Sequence, residues 1–413
     1  MGKPSFVVVG GGQAGLQICE SLRKSGYDGD LTLVAEEATL PYQRPPLSKK
    51  FLAGEVEEAR LLFRPAPYFE KLDVTVRLGT QASALDAQGH TLTLSDGSVI
   101  GYDKLALTLG ARNRPLPCPG GDTVGVHYVR SLEDSRGLAL SLAQSQRLAI
   151  IGGGFIGLEV AAVAASMGKT VIVIEMQDRL LARVVAPRLS DFYADLHRSH
   201  DVVLRLGSAV EKLTSLADGI EVCISGPNGR SAEVVDCVVA GIGVQPNQEL
   251  AEKAGLTCDG GILVDIHGRT SDPDIVAAGD CTMHDNGFLG RRVRLESVQN
   301  AVDQAKVAAG TMLGQEDRYC QVPWFWSDQY DAKLQIAGIG AGHDHAVLRG
   351  DVGNAAFTEF YFKAGQLIGA DSINRPQDHM ACRKLLAQSV PVTAAQIEDP
   401  QVDLMQLARQ SAQ

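Results

Sequence analysis

Residues 149–160 read AIIGGGFIGLEV, an apolar strand that runs through three glycines into a helix start. Residues 7–17, VVVGGGQAGLQ, use the same device. In the first copy FVVVG leads to Gly10, Gly12 and Gly15, and Gly26 follows eleven residues after the third glycine. In the second LAIIG leads to Gly152, Gly154 and Gly157, and Gly168 again follows eleven residues on. LTLVAE then ends in Glu36, and VIVIE ends in Glu175. Each copy is predicted to be strand, glycine turn, capped helix, strand and acid. An isolated GxGxxG means little, but the match here covers a whole strand–helix–strand unit, twice.

The spacing has a physical reading. The first glycine makes the tight turn, the second lets backbone approach a pyrophosphate, and the third lets helix and strand pack closely. The helix N-terminus offers unpaired N–H groups and a partial positive charge to the phosphates. The terminal acid accepts hydrogen bonds from a ribose. Two such units imply two dinucleotides, and a flavin with a nicotinamide is the natural pair, because one hands a hydride to the other. Glu175 would repel the 2′-phosphate of NADP and so favours NADH. Arg179 is a nearby cation that would soften that preference.

The bulk numbers are ordinary for a soluble globular protein. A chain of 413 residues predicts two or three domains, and its 45% hydrophobic content builds cores without disulfides or metals. The net charge of −11 makes a poor general nucleic-acid binder. Eight cysteines, at 19, 118, 223, 237, 258, 281, 320 and 382, form no CxxC pair, so neither a zinc knuckle nor a dithiol centre is expected. Scattered thiols suit a reducing cytoplasm. No signal-peptide-like apolar region and no run of 18 apolar residues is found. His343 and His345, in AGHDHAV, read as a solvated loop, and no metal is expected.

Other segments distinguish the two copies. KLALTLGA (104–111) is an apolar strand ending near Gly110. PDIVAAGDC (273–281) ends a strand on Gly279 and Asp280, and VVAGIGVQPN (238–247) closes a third on a Gly, Pro and Asn turn. Residues 178–200 read as a helix with a proline near its start. EVCIS and AEVVDCVVAG alternate as strands do. The last ninety or so residues begin VPWFWSDQYD and carry the strand-like runs KLQIAGIG, AVLRG and FTEFYF before a helical segment.

This order of segments resembles the flavoprotein reductases of the glutathione-reductase superfamily. The resemblance implies an α/β fold with two Rossmann-like dinucleotide-binding domains and a C-terminal α+β domain. The FAD-binding domain would comprise 1–114 and 248–321, split by an inserted NAD-binding domain at 115–247, with the C-terminal domain at 322–413. ALTLGA looks like the family's ATG strand, with Leu109 where threonine is usual, and AAGDC looks like the strand whose Asp reaches the flavin ribityl chain. Disulfide reductases of the superfamily need a cysteine pair beside the flavin, and LPYQRPPLSKKFLAG (40–54) has none. A flavin there must give its electrons directly to an oxidant or singly to a partner protein.

RPPLSK, with GGGFIGLE, AGIGVQPN, TSDPDIVAAGDC, ESVQNA and PWFWSDQY, is similar to the ferredoxin reductases of the putidaredoxin reductase and biphenyl dioxygenase type, in the same order over nearly the whole chain. The resemblance implies NADH oxidation by bound FAD, then one-electron reduction of a two-iron two-sulfur ferredoxin that feeds a haem monooxygenase or a Rieske oxygenase. It places Ala14, Glu36, Lys49, Ala82, Arg130, Asp280 and Val298 on the FAD, with Arg44 and Pro45 in the same flavin-facing loop. It places Gly154, Phe155, Ile156, Glu175, Arg183 and Gly243 on NADH. Glu36 stands where several relatives have Asp. A rubredoxin reductase or NADH oxidase on the same scaffold, or an NADH-sensing flavoprotein like apoptosis-inducing factor, are the alternatives.

Three further features bear on chemistry. Glu159 lies two residues past Gly157 and reads as a first-turn acid, a position worth ~0.3–1 kcal/mol against the helix dipole. The sharper expectation pairs it with Lys49 where flavin and nicotinamide stack, since a buried carboxylate without a partner is costly. A lysine near the flavin N5 would favour the anionic reduced ring. Hydride transfer itself needs only the nicotinamide C4 held about 3–3.5 Å from that N5, so no catalytic triad is expected. Trp324 and Trp326, the only tryptophans, would share one side of a strand, with Trp326 placed at the flavin and the ferredoxin docking surface. Arg291, Arg292 and Arg294 are the densest basic cluster for docking an acidic ferredoxin, and Arg383 with Lys384 is a second.

Overall fold

The computed structural model describes residues 3–410, which divide into two compact units. The first contains the chain up to Gln43, Glu58–Arg112 and Gln245–Pro323. Its centre is a five-stranded parallel sheet in the order Ile275–Ala277, Lys104–Leu107, Ser5–Val9, Asp30–Val34, Thr75–Arg77. Ser5–Val9 is apolar at nearly every position because both its faces are covered. Phe6 and Val8 pack into one core with the helices Gln13–Lys24 and Val298–Met312. Val7 and Val9 pack into another with the antiparallel strands Ala82–Asp86, Thr91–Leu94 and Val99–Gly101.

The second unit contains Arg44–Glu57, Asn113–Val244 and the chain from Trp324 on. Its first sheet is again parallel and five-stranded, in the order Val203–Arg205, Thr170–Ile174, Arg147–Ile151, Cys237–Ala240, Val126–His127. The repetition therefore runs well past the glycine motif. In both copies a short edge strand follows (Thr75–Arg77, Val203–Arg205), then a three-stranded antiparallel sheet, then a strand that returns beside the first. The second copy's antiparallel sheet is Ala209–Leu216, Gly219–Gly226 and Gly229–Val235.

The echoed closing glycines have one cause. Gly26 and Gly168 sit at φ +87° and +75°, a region that favours glycine. Gly26 N–H bonds to the Arg23 carbonyl and Tyr27 N–H to that of Leu22; Gly168 N–H bonds to Ala165 and Lys169 N–H to Ala164. These paired bonds satisfy the last carbonyls of the Gln13–Lys24 and Phe155–Ser166 helices in the same way.

The helix expected over 178–200 occupies only Pro187–Ser199, with the proline at the first helical position. Residues before it form a loop held by Arg179, whose guanidinium donates to the Val185 and Ala182 carbonyls and to Ser190 Oγ. Leu181 adopts φ +54° there, which no helix continues through.

The C-terminal segment builds a five-stranded antiparallel sheet in the order Trp324–Gln329, Ala332–Gly338, Gln366–Ile373, Ala356–Lys363, His345–Asp351, followed by the helices Pro376–Ala387, Ala394–Glu398 and Leu404–Gln410. Asp371 and Glu359 stand directly opposite each other on neighbouring strands. Burial, with the Glu359 carboxylate beside it, pushes the Asp371 carboxyl up to about 7, against the hydrogen bond that Tyr361 Oη donates to it at 2.7 Å. Among the described residues no helix is long and apolar enough to cross a membrane.

Candidate active site

The glycines of the first unit divide by what surrounds them. Gly10 lies at φ +119°, and a Cβ there would strike the Thr108 carbonyl; one on Gly15 would strike the Gly10 carbonyl. A Cβ on Gly12 would meet nothing within 4 Å. The outer glycines are closed by the protein itself, and the middle one opens on free space at the head of the Gln13–Lys24 helix. That is the cradle a pyrophosphate needs. Gly10 N–H is already committed to the Val34 carbonyl at 2.8 Å, which fixes the turn. Ala14 and Ala301, in the first turns of two helices, both flank Gly279, with Asp280 next to it and half-buried. Glu36 is exposed just beyond its strand, while Ala82 and Val298 are half-buried. Val298 opens a helix capped by the Ser297 side chain.

The second unit repeats the division. A Cβ on Gly152 (φ +106°) would come within 2.6 Å of the Gly241 carbonyl, and one on Gly157 would strike the Gly152 carbonyl. At Gly154 the nearest atom would be 3.8 Å away. Gly152 N–H bonds to the Ile174 carbonyl at 2.8 Å, the counterpart of the bond at Gly10. The Glu175 carboxylate accepts from Gly153 N–H at 2.6 Å and from Gln177 N–H at 2.7 Å. Its position against the loop is thus set by backbone donors. Phe155 packs on Phe325 with ring centroids 4.7 Å apart, Ile156 is exposed, and Arg183 is exposed with its guanidinium beside Gly243. The two glycine turns share one build, a floor sealed by packing and an open middle glycine.

Lys49 and Glu159 meet, with Nζ 2.7 Å from Oε2 and side chains 16% and 4% exposed. The dipole account of Glu159 is a correction. The helix begins at Phe155, so Glu159 is its fifth residue and lies past the first turn, where the end charge has faded. Its neighbours hold it instead. Ser48 Oγ donates to Oε2 at 2.5 Å, and Ser327 Oγ donates to Oε1 at 2.6 Å. The short turn Pro45–Ser48 delivers both Ser48 and Lys49, and Arg44, just before it, donates to the Arg130 carbonyl at 2.7 Å. Neither serine was singled out from the sequence. Ser48 sits inside the RPPLSK motif, but Ser327 reaches Glu159 across 168 residues and carries no local signal.

Trp324 and Trp326 do share one side of their strand, with ring centroids 5.5 Å apart. The Arg383 guanidinium lies 4.7 Å over the Trp324 ring. The other basic cluster is partly neutralised. Arg292 pairs with Asp285 at 3.1 Å and Arg294 with Glu296 at 2.5 Å, so the three arginines do not present three uncompensated charges.

Two nucleotide cradles of one build, each on its own parallel sheet and each followed by a carboxylate, define a two-dinucleotide reductase of the α/β class. Residues 4–305 match the family described as pyridine nucleotide-disulphide oxidoreductase, and residues 324–408 match the one described as reductase C-terminal. The chain is 44% identical to rhodocoxin reductase of Rhodococcus erythropolis over 97% of this chain and 93% of that one. It is 37% identical to putidaredoxin reductase of Pseudomonas putida, over 98% and 96%. Among solved structures, a ferredoxin reductase from Rhodopseudomonas palustris superposes with a TM-score of 0.95 at 40% identity, covering 98% of this chain and 99% of that one. Putidaredoxin reductase in its covalent complex with putidaredoxin gives 0.95 at 36% identity and covers 100% of both. The chain belongs to the pyridine nucleotide-disulphide oxidoreductase family, and within it to the ferredoxin reductases.

Proposed function

We propose that this chain is an FAD-dependent NADH:ferredoxin reductase of the cytoplasm. It takes a hydride from NADH and passes the electrons singly to a two-iron two-sulfur ferredoxin that serves a haem monooxygenase or a Rieske oxygenase. The observation that carries this is the end-to-end likeness to a reductase captured with its ferredoxin, at a TM-score of 0.95. The absence of cysteine from residues 40–54 supports it, because electrons then leave without a sulfur relay.

Gly10, Gly12, Ala14, Gly15, Glu36, Ala82, Asp280 and Val298, with Arg44, Pro45, Lys49 and Arg130, would hold the FAD. Gly152, Gly154, Phe155, Ile156, Gly157, Glu175, Arg183 and Gly243 would hold NADH. The first set falls mostly in 1–114 and 248–321 and the second in 115–247, which supports reading the NAD-binding domain as an insertion into the FAD-binding one, with 322–413 as a third domain. The flavin supplies the change from two-electron to one-electron chemistry. The residues supply binding and orientation. Gly12 and Gly154 leave room for a pyrophosphate, and Glu36 and Glu175 accept from ribose hydroxyls. Lys49 is a fixed positive charge, held in place by Glu159. Arg179 is spent on its own loop, which favours NADH over its 2′-phosphorylated form.

The test is cytochrome c reduction by the FAD-loaded protein with NADH, with and without an added two-iron two-sulfur ferredoxin. The rate is expected to depend on the ferredoxin. Trp326→Ala is expected to lower that rate about tenfold, as loss of an aromatic anchor does, and to leave ferricyanide reduction within about twofold. Equal rates with and without ferredoxin, or a preference for rubredoxin, would reject the assignment.

A further inference from the structure

We propose that Ser327, Gln329 and His197 are positioning residues for Glu159. They form a buried chain of hydrogen bonds that starts at Tyr330, points in one direction and ends on the Glu159 carboxylate, so that Glu159, and through it Lys49, is held in one place. This rests on the reading of Lys49 and Glu159 as the pair at the flavin, and goes beyond it.

The direction of the chain follows from its end. An ionised carboxylate only accepts, so Ser327 Oγ, 2.6 Å from Glu159 Oε1, must donate its one proton there. Its lone pairs then receive Gln329 Nε2, at 3.3 Å. That orients the amide and turns Gln329 Oε1 toward His197 Nε2, 2.9 Å away. An amide oxygen only accepts, so His197 carries its proton on Nε2. Nδ1 is left as an acceptor facing the Tyr330 hydroxyl at 3.4 Å. Burial pushes the His197 imidazole down to about 4, so the ring has a single proton near neutral pH, and the network assigns it.

Three elements contribute. Phe325, Ser327 and Gln329 alternate along the strand Trp324–Gln329, so they share the side that meets the Phe155–Ser166 helix, where Phe325 packs on Phe155 and Ser327 bonds Glu159. His197 comes from the helix Pro187–Ser199. Glu159, Ser327, Gln329 and His197 are all 4% exposed or less. Four such groups in a core are costly unless fully paired, and chains of like-directed bonds reinforce one another. The charged and titratable groups around them are Lys49, the buried Tyr193 and Asp371, the exposed Asp328, and His200, which stacks on Tyr330 at 3.7 Å. With Ser48 and Lys49 on Oε2 and Ser327 on Oε1, both carboxylate oxygens are occupied, and the network fixes the half that Lys49 does not reach.

The test uses the FAD-loaded protein with ¹⁵N-labelled histidine, the His197 signal being assigned by its loss in His197→Asn. His197 is expected to be the Nε2–H tautomer and neutral at pH 7. Stopped-flow reduction by NADH is expected to slow roughly three- to tenfold in Ser327→Ala, the net worth of one ordinary hydrogen bond, since Ser327 acts on the rate only through Glu159 and Lys49, and by less in Gln329→Leu, with flavin content unchanged. An Nδ1–H tautomer overturns the proposal, and this is read on the unaltered protein even if a variant folds poorly. So does a normal reduction rate in Ser327→Ala beside a slowed Glu159→Gln, which leaves the Lys49–Glu159 reading standing. Normal rates in both variants overturn that reading too.

Discussion

Replacing Glu159 by Gln keeps the side chain's shape and removes its charge. Lys49 would then lose a carboxylate at 2.7 Å and keep the Pro45 carbonyl at 3.3 Å. Breaking one side of a buried ion pair costs about 3–5 kcal/mol. Lys49 keeps some contact with water, and Ser48 and Ser327 can still bond an amide, so the lower end applies, about 3 kcal/mol. For a protein of this size that lowers the melting temperature by roughly 3–4 °C. If the rate depends on where Lys49 stands, losing its charge-assisted partner removes ~1.5–3 kcal/mol, or about 10- to 100-fold in flavin reduction. Stopped-flow bleaching of the flavin over a range of NADH concentrations measures this. A double-mutant cycle separates the two effects. Lys49→Met alone strands Glu159, whereas Lys49→Met with Glu159→Gln leaves no buried charge and is expected to recover about 1 kcal/mol or more of stability. It should recover none of the rate. A limiting rate within twofold of the unaltered protein in Glu159→Gln, with an unchanged melt, would refute the reasoning.

Two other outcomes are expected. Gly12→Ala should fold with a near-normal melt and purify with much less flavin, because Gly12 has an ordinary φ of −90° and open space where a ligand belongs; Gly10→Ala should instead lower the melt, because its Cβ would strike backbone at φ +119°. Absorbance ratios of flavin to protein, read beside thermal melts, separate the two. Asp371→Asn should raise the melting temperature at pH 8 and not at pH 4. The folded carboxyl titrates at about 7 against 3.8 for the free group, so the wild-type contribution is fully present below about 4 and is lost as pH rises through 7. A gap between the two proteins that fails to widen with pH would count against a buried neutral Asp371.

What could be read in the sequence was local or periodic. The doubled glycine turns, the strands after them and the acids at their ends are written in spacings of a few residues, and backbone geometry dictates those spacings. The later part of the repeat, with its edge strand and antiparallel sheet, was visible only as scattered alternation. Short half-exposed strands such as Val203–Arg205 carry almost no pattern. The helix start was placed too early because residues 178–186 are as apolar as a helix, and only Arg179 bonding to the loop carbonyls shows why they turn instead. Glu159 and its pairing with Lys49 are both legible, but the helix starts part of a turn earlier than the glycine spacing suggests, so the dipole account falls and the ion pair stands. Ser327, Gln329 and His197 belong to distant elements, and no spacing within the chain announces that they meet.

Arg179 also bears on any redesign of coenzyme preference. Removing the Glu175 charge would free the Gly153 N–H, but it would not release Arg179, which cannot leave without abandoning the Val185 and Ala182 carbonyls. A version that accepts the phosphorylated coenzyme would have to import its positive charge at the solvent-facing positions just beyond Glu175. Met176, 69% exposed, can change there without emptying any core.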